Sequence, residues 1–215
     1  MTSVEQAYER FRALGAVLGL ARYPLDAFAR HEVPVQAMRD FARRHVDRLR
    51  RLNPGRDVSA FFHITLDPDV SAGRRVLDPV PIASKELFGP GYDVDTDELR
   101  LFTYGARSRA TLTHEGLAYA LLNPPYGLRD PDHPRGTHGF DPSEQARMRR
   151  LLRAFCADVL CLEDPRHAEH LTILRWPTDW STYFDAGKEW WGCFCWTIED
   201  RRHDWVTAVA ASTTD

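Results

Sequence analysis

Two tripeptides of one kind stand far apart in this chain of 215 residues: His63-Ile64-Thr65 and His170-Leu171-Thr172. Each lies in an apolar, alternating run, Phe62 to Leu66 and His170 to Ile173. On a β-strand, residues two apart project to the same side. Two such strands close together would set two imidazoles and two hydroxyls over one pocket. One imidazole could serve as base and the other as acid, because histidine changes charge near neutral pH. The hydroxyls of Thr65 and Thr172 would hold anionic oxygens. That arrangement suits metal-free cleavage of a cyclic phosphodiester. Asp185, Glu189 and His203 form another set that combines acids with an imidazole, and its spacing does not separate chemistry from a solvated rim.

Other groups point away from metal and redox chemistry. The four cysteines are Cys156, Cys161, Cys193 and Cys195. Neither pair has the Cys-x-x-Cys spacing of a zinc site, so the expectation is small core residues and no metal. Asp93-Val-Asp95-Thr-Asp97 opens like a calcium loop, but Glu98 replaces the required glycine and Tyr104 the closing glutamate. No cofactor fingerprint is present, and the expectation is that none is used.

The elements that must position these residues follow from periodicity. Val4, Ala7, Tyr8, Phe11, Leu14, Val17 and Leu18 recur at helical spacing after Ser3. A second long helix follows Pro34 and stops at Asn53-Pro-Gly-Arg56, with Val35, Met38, Phe41 and Val46 on one face and arginines on the rest. Val58 to Leu66 reads as a strand, Arg74 to Ala83 as an edge strand because of Pro79 and Pro81, and Leu99 to Tyr104 as another strand. Thr113 to Leu122 is short helix or strand. Residues 123–142 form a proline-rich loop, and a helix runs from Pro142 to about Asp158. His170 to Trp176, Trp190 to Ile198 and Trp205 to Ala211 read as strands, with a short turn capped by Asp179 and a charged turn over 199–204. Helices, then strands, a helix, then strands give a single α+β domain over residues 1–215. The sheet is expected to be largely antiparallel, with the long helices packed on one face and a Trp-rich C-terminal hairpin.

All six tryptophans fall between Trp176 and Trp205, and residues 157–215 carry 11 acidic against 5 basic side chains. Residues 1–56 lean the other way, with 11 Arg against 6 carboxylates. The net charge of −3 argues against general nucleic-acid affinity. No apolar run is long enough to span a membrane, and the first residues lack the features of a secretory signal, so a cytoplasmic location is expected. Most of the rings should be core. Exposed members would be anchors for a protein partner, since Trp, Tyr and Arg dominate interface hot spots. The candidate recognition surface is Trp180, Tyr183, Asp185, Glu189, Trp190, Trp191 and Asp204.

Two resemblances bear on function. The acidic, Trp-rich end and the α+β pattern are similar to small acidic bacterial immunity proteins. This implies a non-enzymatic module that neutralises a basic toxin domain. The paired His-x-Thr tripeptides resemble the two-histidine phosphoesterase family, which implies catalysis by His63, Thr65, His170 and Thr172 without metal. The binding reading leads; the phosphoesterase is the alternative.

Overall fold

Runs rich in Val, Ile, Thr and Trp build one five-stranded sheet, and every pairing within it is antiparallel. The structure is a computed structural model that describes residues 3–58, 64–99, 115–125, 127–128 and 142–212. In chain order the elements are α1 (Ser3–Ala13), β1 (Leu18–Pro24), α2 (Val33–Leu52), α3 (Pro68–Ser71), β2 (Val80–Ile82), α4 (Ser84–Phe88), β3 (Tyr92–Asp93), β4 (Glu98–Leu99), α5 (Gly116–Leu122), α6 (Pro142–Leu160), β5 (Leu171–Arg175), α7 (Asp185–Trp190), β6 (Phe194–Asp200) and β7 (Trp205–Ala211). Short 3₁₀ turns cover Pro165–His170 and Thr182–Phe184. The sheet order is β1-β7-β6-β5-β2, and β3 pairs with β4 separately. No described helix is long and apolar enough to cross a membrane.

The single α+β domain and its antiparallel sheet agree with the sequence reading. The placement of the helices does not. α1, α5 and α6 pack on one face of the sheet with Leu20, Ile173, Trp196, Ile198 and Val209. α2 packs on the opposite face with Ala21, Leu174, Cys195, Val206 and Ala208. The reason is in the strands: β6 and β7 are buried at almost every position. Strands that are apolar on both sides need cover on both sides. Gly19 shows how close that cover lies, since a Cβ there would sit 2.7 Å from the Phe41 ring of α2.

Three segments also differ from expectation. Leu18 was expected to continue the first helix, but the helix ends at Ala13, and Gly15 at φ 92° turns the chain into β1. Of the expected strand 58–66, residues 59–63 lie outside the described residues, and Leu66 makes one bridge, to Ser181. Trp190 and Trp191 belong to the end of α7 rather than to a strand, and β6 starts at Phe194. The remainder of the expected strand from Leu99 lies outside the described residues. The short edge strand holding Pro81 is found as β2, paired among the described residues with β5 alone.

Candidate functional site

The Trp-rich segment builds a floor rather than a sticky surface. Trp180 and Trp191 are 1% and 3% exposed, and Trp196 is 2%. Their polar edges are satisfied inside: Trp180 donates to the Pro177 carbonyl at 2.6 Å, Trp191 to the Asn123 carbonyl at 2.8 Å, and Trp176 to the Thr197 hydroxyl at 2.9 Å. A buried indole N–H needs such a partner. Trp191 stacks on Tyr119 at 5.4 Å, and Trp180 meets Phe184 edge-on at 5.8 Å. Tyr183 is half-buried, edge-on to Phe184 at 5.1 Å, and burial raises its hydroxyl pKa. Trp180 and Trp191 therefore leave the expected recognition surface, because their rings serve the core. Trp190 is the last residue of α7.

What reaches solvent is the acid edge of α7. Ser181 caps the preceding turn, its hydroxyl accepting from the Tyr183 N–H at 3.2 Å, in place of the expected Asp179. Asp179 instead pairs with Arg75 at 2.7 Å. Gly187 was expected to end the turn, yet it sits inside α7, pressed against the Gly192 carbonyl and the Ser212 hydroxyl. Phe184 is fully buried beneath it. Asp185 and Glu189 point away from this seat and are exposed, and Lys188 pairs with Asp185 at 3.1 Å. Asp204 is exposed in the turn after β6, at φ 56°. The seven residues of β6, at about 3.3 Å each, separate it from α7 by roughly 20 Å. Asp204 is therefore not part of one surface with Asp185 and Glu189.

The far end of β6 holds the most unusual chemistry of the sheet. Glu199 and Asp200 are adjacent on the strand, point to opposite faces, and are 4% and 2% exposed. Buried carboxylates need partners. Glu199 accepts both arms of the Arg30 fork, at 2.5 and 2.7 Å, and this hydrogen bonding raises the Arg30 pKa. It lies in a cleft of about 220 Å³ with Phe28, Val33 and Arg201. Asp200 accepts from the Arg202 N–H at 2.9 Å and bonds His203 Nδ1 at 2.7 Å. Burial works to raise the Asp200 pKa, but these bonds and the charges of His203 and His170 outweigh it and hold the carboxyl below its usual range. His203 stacks on Trp205 at 5.0 Å, and the Arg22 guanidinium lies 4.1 Å over the same indole. His203 is thus joined to Asp200 and not to Asp185 or Glu189.

The structure places the His-x-Thr residues as follows. His63 lies outside the described residues. Thr65 is tied to Thr182, whose hydroxyl accepts from the Thr65 N–H at 2.9 Å. His170 ends a 3₁₀ turn instead of standing on β5; its Nδ1 is 2.8 Å from the His167 carbonyl and its Nε2 is 3.9 Å from Asp200. Thr172 pairs in register with Glu199. Because Glu199 and Asp200 face opposite ways, His170 and Thr172 do not share a side.

Sequence reasoning passed over Arg30, and over Glu199 and Asp200, which looked like parts of a charged turn. Two acids closing an otherwise apolar strand were the available signal. No protein-family model, curated protein or solved structure matches the chain.

Proposed function

We propose that the protein is a non-enzymatic, cytoplasmic binding module of the immunity type, and that it captures a basic partner protein on the exposed edge of α7. The observation that carries this reading is the pair Asp185 and Glu189. Residues four apart share one face of a helix. Both are exposed, and the helix beneath them is fixed by Phe184, Gly187 and Trp191. Like charges at this spacing cost a helix about 0.2–0.5 kcal/mol. Glu189 also sits in the last turn, where the helix dipole disfavours an anion. Folding gains nothing from Glu189, whereas a guanidinium or ammonium group would. The Lys188 pair on Asp185 is exposed and worth roughly 0–1 kcal/mol, so an incoming arginine competes with it readily. The acidic balance of residues 157–215 adds attraction at longer range.

The test is association of the full chain with basic toxin-domain proteins as candidate partners, followed by biolayer interferometry at low and high salt. Asp185→Lys with Glu189→Lys should slow association, and slow it most at low salt. Equal association rates for the variant and the parent at low salt would sink the reading.

A further inference from the structure

We propose that the side of the molecule that carries α2 holds a second binding site, a groove for an extended acidic peptide segment. Two clefts open beside α2, of about 220 Å³ against the sheet at Thr197 and Val206 and about 230 Å³ between α2 and the chain around Val70 and Leu77, and Phe28 lines both. The first runs from Phe28 past Arg30 to Glu199 and Arg201. The second has Val35, Val70 and Leu77 at its base and Arg39 and Ser71 among its rim residues. Each falls short of the roughly 300 Å³ of a small-molecule pocket. Set end to end on either side of one ring, they suit a chain with a side chain in each.

The charge of the groove identifies the occupant. Glu199 is matched by Arg30, and Arg75 by Asp67 and Asp179. Glu32 is engaged in the turn before α2, accepting from the Ala29 N–H at 2.9 Å. Arg39 donates to the Ser71 carbonyl and hydroxyl and meets no carboxylate among the described residues. Arg201 makes no ion pair among the described residues. In a chain of net charge −3, the groove therefore presents two guanidiniums that no carboxylate among the described residues compensates, one per cleft, with Phe28 lining both. A peptide alternating acidic and apolar residues would lay its apolar side on Phe28, Val35 and Leu77. Its carboxylates would then meet the two arginine forks, the strong geometry for such pairs. The proposal uses other residues and the opposite charge from the α7 edge, so either can fail alone.

The probe is fluorescein-labelled Glu-Leu-Glu-Leu-Glu-Leu, titrated with the full chain and read by anisotropy, with Lys-Leu-Lys-Leu-Lys-Leu as its counterpart. The acidic peptide should bind and the basic one should not. Arg39→Ala and Arg201→Ala should each weaken binding roughly tenfold, the loss expected of one charge-assisted contact. Arg51→Ala, an exposed arginine at the end of α2, should leave it unchanged. Equal binding of the two peptides, or an equal loss in Arg51→Ala, overturns the proposal. So does displacement by polyphosphate at the same charge concentration, which would make the groove a general anion patch. Self-association of the chain that Arg201→Ala abolishes would also overturn it, in favour of a second copy as occupant.

Discussion

The two faces of the sheet are finished differently. On one, α1, α5 and α6 close a continuous apolar layer in which Leu20, Leu117, Leu152, Phe155 and Val209 are fully buried. On the other, α2 is the only long helix among the described residues, and the chain from Trp176 to Phe184 fills in beside it. A helix is about 10 Å wide, whereas five strands at about 4.8 Å span roughly 20 Å or more. Among the described residues, one long helix therefore spans only part of that width. Glu199, Arg30, Arg201 and the cleft around them lie on this side of the sheet, and the second cleft lies beside α2 itself, against Val70 and Leu77. The comparison teaches that a site here is set by a shortage of helix, and not by where the aromatic residues concentrate.

The largest test of the comparison deletes one indole from each face. Trp196→Ala and Trp180→Ala should each cost about 3–5 kcal/mol in urea unfolding, because both rings are buried. A loss at Trp180 well below that at Trp196 would show that the α2 side is only loosely closed. Next comes Arg30→Ala, which leaves Glu199 without its cation. The expected cost is about 1–3 kcal/mol, and Arg30→Ala with Glu199→Gln should recover part of it. An additive double mutant would remove Glu199 from the account of this face.

A smaller effect separates the two acids by pH. The Asp200 carboxyl is held below its ordinary value in the folded protein. Its contribution is therefore present above the unfolded pKa of about 3.9 and is lost as pH falls through the lower folded value. Asp200→Asn should cost about 1–2 kcal/mol at neutral pH, with the gap from the parent closing below about pH 4. A gap that stays constant into acid would mean that the charge is not what holds the turn. The smallest effect is on stability at α7: Asp185→Lys with Glu189→Lys should move unfolding by less than about 0.5 kcal/mol per site. A larger loss would place those carboxylates in the fold rather than at a partner.

Much of the architecture was legible in the sequence. The α2 stripe of Val35, Met38 and Phe41, the edge strand around Pro81, and the β6–β7 hairpin all follow from local periodicity and turn chemistry. β1 was not legible, because Leu18-Gly-Leu-Ala continues a helical pattern and becomes a strand only through pairing with β7. The α7 helix was hidden by its own residues: Trp190 and Trp191 favour strand, but Gly187 must approach Gly192 closely, which holds the segment in a helical turn. The acid edge could be read from composition; the burial of its neighbouring tryptophans could not, since burial depends on Tyr119 and Asn123 far away in the chain. The approach of Gly89 to Gly116 was equally silent. Both have positive φ, and a Cβ on either would meet backbone at about 2.5 Å.

The pairing of β1 with β7 has a consequence for synthesis. Gly19 meets Ala210 and Leu20 meets Val209, so β1 must wait for the roughly 190 residues between them before it finds its neighbour. Closing so long a loop slows folding and delays the reward of the contact. Until Ala211 has left the ribosome, Leu18, Leu20 and Ala21 have no strand to lie against, and the nascent chain carries an open apolar edge. A chain stalled in the last hairpin would keep α1 and α2 but no closed sheet between them, a state suited to capture by chaperones or by other unfinished copies.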